Sequence, residues 1–347
     1  MKSLAVFNGG RLEIVDVPVP EINEFQALVK VLSCGVCNGT DTKIIHGNFK
    51  NFNTYPALLG HEAVGEVVKK GSKVVSFKEG DHVLLPFLDD IPGSYYSGWG
   101  GYSEYAVVND IKALIENGRG PGTPGFPEGA YAQQVLPPEI DPVPGTMIVT
   151  FREVLSACKR FGFRPNESIV IFGAGPVGLC FTKFAKLLGL NPVITTDIVP
   201  EKVEEALKMG ADYAFLSSAE VNEKIRELLP DGVDYVVDAV GVNSLINQAM
   251  ELIKYNGKIC CYGISPKLSM ELDWSKAPYN WTLQFVQFPL KKEEAEAYSQ
   301  VLAWIKAGAL DPNDFISDVV DFDNIIEAFK MVEERRAKKK IVIRMNK

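Results

Sequence analysis

The chain has no run of about 18 apolar residues, the length that a membrane-spanning helix needs, so no membrane partner is expected. It also has no excess of basic residues: 36 Lys and Arg against 44 Asp and Glu leave a formal charge of -8. A protein that grips phosphate backbones needs the opposite balance, so no nucleic-acid partner is expected. The one dense basic run, Arg335 to Lys340, precedes the last expected strand and reads as a solvated helix end. The N-terminal MKSLAVFNGG lacks the apolar stretch and small-residue cleavage site of a signal peptide, which predicts a cytoplasmic location. In a cytosolic chain of this size, six cysteines point to metal binding, catalysis or burial rather than to disulfides.

What is present suggests two domains. A length of 347 residues is enough for about two cores, and 46% hydrophobic with 23% charged residues is ordinary for a globular protein. The first stretch is β-rich: SLAVF, RLEIVDV, ALVKVLSCGV, GEVVKKG and DHVLLPF are short apolar runs separated by Gly and Pro. Residues 112–145 include RGPGTPGFPEG, almost pure turn chemistry, and read as a surface loop near a domain boundary. From about Phe151 strands alternate with helices through SIVIFG, PVGLCFTKFAKLLG, PVITTDI, EKVEEALKMG, YAFLS, VNEKIRELL, YVVDAVG, LINQAMELI and KICCYGI. That alternation predicts an α/β domain built on a doubly wound parallel sheet. After Pro289 two helices are expected, around residues 295–306 and 324–334, then a closing strand KKIVIRM.

SIVIFGAGPVGL supplies the strand, the Gly-x-Gly-x-x-Gly loop and the helix of a dinucleotide site, with Gly173, Gly175 and Gly178 in the three places and Val177 between the last two. The first glycine allows the tight turn, the second lets a pyrophosphate approach the backbone, and the third lets helix and strand pack closely. Unpaired N–H groups and a partial positive charge at the helix start then favour phosphate. The next strand, VITTD, ends in Asp197, 19 residues beyond Gly178 and so near the ~20 expected of a ribose-binding acid. A carboxylate there accepts from the 2′-hydroxyl and repels a 2′-phosphate, so the expected cofactor is NAD. VVDAVG places Val240 and Gly241 at the end of another strand, beside the cofactor.

SCGVCNGTD, residues 33–41, is open to three readings: half a zinc cage, a redox pair, or two buried thiols. LLGHEAVGEVVKKG then adds His61 and Glu62, adjacent and flanked by glycines. Together, CGVC, TD, GHExxGxVxxxG, GDxV, the nucleotide fold and the KIVI strand resemble the zinc-containing medium-chain alcohol and polyol dehydrogenases, nearest the sorbitol and threonine dehydrogenase side. The similarity covers nearly the whole chain. It implies a GroES-like β-rich catalytic domain over residues 1–150, completed by 290–347, and a Rossmann NAD-binding domain over 151–289, with the active site in the cleft between them. It further implies Cys37 and His61 as ligands of a catalytic zinc, and Glu62 as a ligand or near neighbour. Zinc accepts all three donor types and keeps a position open for substrate, where it polarises an alcohol oxygen and eases hydride loss to NAD. Cys34 is left a packing role. The family also implies a homodimer or homotetramer through edge strands, for which KICCYGI is a candidate.

Three departures from that pattern matter. PFLDDIPGSYYSGWGGYSEY has no cysteine where relatives carry a structural zinc lobe, so one catalytic zinc and no structural zinc is expected. Thr40, a proton relay by resemblance, stands one residue later than in relatives; His46 is either a continuation of that relay or a loop residue. The remaining ligand should lie 24 residues before Gly173, at Val149, which cannot bind metal. The nearest donor is Glu153, about one helical turn or roughly 6 Å further, with a metal-shell role, a substrate contact or a salt bridge all open. The leading function is therefore zinc-dependent, NAD-linked oxidation of a secondary alcohol: a polyol, sugar or hydroxy-amino acid. Its specificity would lie in side chains such as Phe49, Tyr95, Trp99, Glu104 and Trp274. The alternatives are a metal-free reductase of the quinone-reductase type and a non-catalytic nucleotide-binding relative.

Overall fold

The computed structural model describes residues 1–89, 91 and 94–345. Compact packing divides the chain into one unit of Met1–Arg152, Leu290–Leu302 and Asp311–Lys347, and a second of Glu153–Pro289 and Ala303–Leu310.

The first unit is built on the ten-residue strand Gln26–Gly35, whose sequence QALVKVLSCG alternates buried and half-buried positions and ends fully buried. Alternation follows from the two-residue period of a strand with one face on the core. This strand pairs antiparallel with Ala63–Lys70, Tyr105–Asn109 and Lys340–Arg344. The register sets Cys34 opposite both Ala63 and Ile343, so the segment before Ala63 and the start of the C-terminal strand arrive at the same strand end. A smaller sheet orders Leu12–Asp16, Lys2–Val6, Ala57–Leu58 and Tyr96–Ser97, and puts Leu58 beside Ser97. A core of Leu4, Val6, Val31, Ile44, Leu58, Phe322, Phe329 and Ile343 joins these sheets to helix Ile325–Glu333.

The second unit holds six parallel strands in the order Tyr213–Leu216, Val193–Asp197, Ile169–Phe172, Val233–Asp238, Ile253–Cys261 and Thr282–Phe285. Counted from Ile169–Phe172 this is 3-2-1-4-5-6, the dinucleotide-binding order, with the reversal at the first strand. IVIF is buried at all four positions because a parallel sheet is covered on both faces. Helix Pro176–Leu187 covers it with Leu179, Cys180, Phe181 and Phe184, all fully buried. No helix among the described residues is long and apolar enough to cross a membrane.

One expectation is corrected here. KICCYGI is not a sheet edge: Ile253–Cys261 is flanked by Val233–Asp238 and Thr282–Phe285. Ile259 and Cys260 are fully buried, as an inner strand requires, whereas the outer strand Thr282–Phe285 buries none of its residues, with Thr282 and Phe285 exposed.

Candidate active site

Where Gln26–Gly35 ends, the chain turns through Val36–Thr40 into the short helix Asp41–Ile45. The residue that Asn38-Gly39 adds between cysteine and aspartate is absorbed in a closed loop. Asp41 N–H donates to the Cys37 carbonyl at 2.9 Å, and Asp41 Oδ2 accepts from Cys37 N–H at 3.1 Å. Asp41 is fully buried, and the Tyr102 hydroxyl lies 2.7 Å from the same Oδ2 and 2.9 Å from the Gly35 carbonyl. Thr40 is buried at the N-cap position, but its side chain makes no capping hydrogen bond.

The structure brings Cys37, His61 and Glu62 together. One donor atom from each lies within 4.8 Å of the others, the group of this kind found among the described residues. His61 Nδ1 sits 3.3 Å from Asp41 Oδ1, within ion-pair range but without hydrogen-bond alignment, and neither atom has another hydrogen-bond partner. Burial pulls the His61 pKa down, yet the negative charge of Asp41 and Cys37 outweighs it and holds the imidazole well above its usual value. Glu62 is 2% exposed, and its two oxygens lie 2.6 and 2.8 Å from the ammonium of Lys340, itself buried. Gly35 makes room for that carboxylate, since a Cβ there would come within 2.4 Å of Glu62 Oε2. A half-buried thiol, a half-buried imidazole and a buried carboxylate, converging beside unmatched polar atoms, fit a zinc ion with one position open.

Other candidates lie elsewhere. Cys34 is fully buried, and burial pushes its thiol pKa well up, as befits a packed side chain. His46 is exposed, with Nε2 3.2 Å from Glu333. Glu104 accepts from Lys2 N–H at 2.7 Å, and Trp274 is exposed in the second unit. Val149 is buried in helix Met147–Phe161. Glu153 is not in the three-donor group; its Oε1 accepts from the Tyr262 hydroxyl at 2.7 Å. Of the cysteine-free stretch 86–105, residues 90, 92 and 93 lie outside the described residues. Asp41, Tyr102 and Lys340 were not assigned roles by sequence; only Asp41 had a signal, the Thr-Asp pair after Cys37.

In the second unit each loop glycine meets a different constraint. Gly173 takes φ +95°; a Cβ on Gly178 would lie 1.8 Å from the Gly173 carbonyl oxygen; a Cβ on Gly175 would meet nothing within 4 Å. Gly175 caps helix Pro176–Leu187, and Val177 is half-buried in its first turn. The open space over Gly175 is where a pyrophosphate fits. Asp197 ends its strand with Oδ2 accepting from Ala174 N–H at 2.7 Å and Oδ1 from Val199 N–H at 2.9 Å. Asp238 Oδ1 accepts from Val240 and Gly241 N–H, each at 2.9 Å, with Val240 exposed and Gly241 at φ +81°.

Both units match known families. Residues 23–140 match the alcohol dehydrogenase GroES-like domain and residues 176–307 the zinc-binding dehydrogenase domain. The chain belongs to the zinc-type medium-chain alcohol and polyol dehydrogenases. It is 29% identical over 351 residues to a sorbitol dehydrogenase of Bombyx mori, covering 97% of each chain. It is 27% identical over 336 residues to an L-threonine 3-dehydrogenase of Pseudoalteromonas translucida, covering 92% of each. An alcohol dehydrogenase structure from Thermus sp. ATN1 superposes with a TM-score of 0.80 over all of both chains, at 22% identity, a likeness of fold.

Two predictions follow from this geometry. Gly175→Ala, with room for its methyl, is expected to weaken NAD binding about tenfold while leaving thermal stability unchanged. Gly178→Ala should instead lower stability by calorimetry; equal stability in both variants would refute the assignment. For the ion pair, Lys340→Met strands Glu62 and should destabilise the metal-free protein by about 3 kcal/mol. Saturating zinc should restore more stability to that variant than to the wild type; equal zinc stabilisation, read by denaturant titration, would mean that Glu62 does not face the metal.

Proposed function

We propose that this protein is a zinc-dependent, NAD-linked dehydrogenase acting on secondary alcohols of the polyol, sugar or hydroxy-amino-acid class. The observation that carries this reading is the convergence of Cys37, His61 and Glu62 in a chain that also has a dinucleotide loop. The names of the sorbitol and threonine dehydrogenase relatives support the substrate class. We assign residues 1–150 with 290–347 to the catalytic domain and 151–289 to NAD. A metal-free reductase is disfavoured because it gives a thiol, an imidazole and a buried carboxylate no reason to converge.

In this reading Cys37, His61 and Glu62 hold the metal, with Val149 contributing nothing. Bound zinc supplies a Lewis acid for an alcohol oxygen, and bound nicotinamide supplies the hydride acceptor. Asp41 Oδ1 lies 3.3 Å from His61 Nδ1, where its negative charge favours the ring orientation that turns the other nitrogen to the metal. Thr40, whose hydroxyl is not spent on capping, takes the alcohol proton in this reading. Gly173, Gly175 and Gly178 bring the helix N-terminus to the pyrophosphate, while Val240 and Gly241 border the cofactor. Asp197, its carboxylate held by two backbone amides, presents a fixed negative charge to the ribose and excludes a 2′-phosphate. Glu153 lies in the second unit, where its Oε1 accepts from the Tyr262 hydroxyl, and it is given no role at the metal in this reading.

The protein is taken as a cytoplasmic homo-oligomer. The outer strand Thr282–Phe285, with Phe285, Phe288, Tyr255 and Tyr279 exposed nearby in sequence or pairing, supports a dimer formed along that edge. Sedimentation equilibrium should give at least twice the chain mass of 38.2 kDa; a single chain mass at micromolar concentration would exclude the assembly. The function itself is tested by NAD reduction across sugar alcohols, inositols, aldonates and threonine, with and without a chelator. About one zinc per chain and chelator-sensitive turnover are expected; less than half a zinc after metal-supplemented expression would overturn the reading.

A further inference from the structure

Trp99 sits in the left-handed region, with φ +69°. For a bulky side chain that is a genuine outlier, kept only where the surroundings over-determine it and concentrated at functional sites. The surroundings here are backbone. Ser97 pairs with Leu58, the Gly98 and Gly100 amides both donate to the Leu58 carbonyl, and Gly101 N–H donates to Gly60 at 2.7 Å. Leu88 N–H donates to the Trp99 carbonyl at 2.8 Å, and Trp99 N–H donates to Ser97 Oγ at 3.1 Å. The two segments lie too close to admit a side chain between them. A Cβ on Gly98 would come within 2.7 Å of the Leu58 oxygen, and one on Gly60 within 2.5 Å of Tyr102 N. Residues 98–101 are thus strapped to the segment that leads directly into His61.

The consequence is an aromatic ring fixed against a metal-ligand candidate. The Trp99 and His61 ring centroids are 5.2 Å apart with planes at 55°. Phe49 meets Trp99 edge-on at 6.3 Å, and Phe52 meets Phe49 at 6.5 Å. Trp99, Phe49 and Phe52 are each only partly buried, so this row keeps surface free beside the imidazole. The one polar group on Trp99 is its indole N–H, which makes no hydrogen bond among the described residues, although a tucked-in indole usually finds an acceptor.

We propose that Trp99 selects the substrate, and that the alcohol it favours is a cyclic vicinal diol, a sugar-ring or cyclitol type rather than an open-chain polyol. This rests on the dehydrogenase reading above. A ring presents a rigid C–H face to aromatic surface, and the hydroxyl beside the reacting carbinol accepts the indole N–H. An open chain offers the same hydroxyls but loses rotational freedom on lying against the wall.

The test uses the zinc-loaded protein with NAD and three alcohols: 1,2-cyclohexanediol, cyclohexanol, which lacks the second hydroxyl, and 2,3-butanediol, which lacks the ring. In the wild type, kcat/KM for 1,2-cyclohexanediol should exceed that for 2,3-butanediol about tenfold. Trp99→Leu should bring that ratio near one with zinc content unchanged. Trp99→Phe should keep the ring preference and lose about fivefold of the preference for the diol over cyclohexanol. An unchanged ratio in Trp99→Leu, or an equal fall for all three alcohols, overturns the proposal. If the wild type oxidises none of them, the dehydrogenase reading is decided separately, by the alcohol screen given above. The wall is then judged by calorimetric binding of 1,2-cyclohexanediol to zinc-loaded wild type and Trp99→Leu, where a loss of about tenfold supports it and equal affinity overturns it.

Discussion

The buried carboxylate of Asp41 is the contact on which the site depends. It holds the Cys37 turn through that residue's N–H, receives the Tyr102 hydroxyl, and faces His61 Nδ1. Three segments of the first unit therefore converge on one side chain. A fully buried carboxylate of this kind is tolerated only when its partners are fixed, and here two of those partners, Cys37 and His61, are among the proposed metal ligands. The ion pair of Glu62 with Lys340 extends the arrangement across 278 residues to the closing strand. That span accounts for the need to return the C-terminal chain to the first unit.

The charge balance explains why this arrangement suits a cation. Cys37, Asp41 and Glu62 are acid groups brought close together, with Asp41 and Glu62 buried and Cys37 half-buried, opposed by one lysine and one histidine. The high pKa of His61 expresses that imbalance, because the imidazole takes up a proton to offset the surrounding negative charge. A divalent ion held by Cys37, His61 and Glu62 would supply that positive charge more fully. Lys340 stabilises Glu62 without it, and would compete with a bound ion for the same carboxylate.

Much of the fold was legible from local chemistry. The glycine loop declared itself because each glycine answers a separate steric demand over six residues, and these demands reappear in the structure at Gly173, Gly175 and Gly178. Cys37, His61 and Glu62 were legible only through the order of motifs, since no spacing within the sequence forces them together. The outer strand Thr282–Phe285 was missed, and KICCYGI was taken for the edge, for one reason. Inner parallel strands are continuous apolar runs, while outer ones are short and half-polar and look like loops. Tyr102 and Lys340 were invisible because their partners are 61 and 278 residues away.

The extra residue after Cys37 shows how a pattern can shift while its chemistry is kept. A shorter loop would lead directly from the thiol to the helix; here Asn38-Gly39 widens the turn, and Asp41 closes it by binding both backbone groups of Cys37. Thr40 is thereby carried to the helix cap, where threonine ordinarily spends its oxygen on a backbone amide. It does not do so here. The Thr40 hydroxyl is buried and makes no capping bond, one residue before the carboxylate that lies 3.3 Å from His61 Nδ1, which is the ground for the relay role proposed for it. The same lengthened turn that displaces Thr40 in sequence thus leaves its oxygen uncommitted.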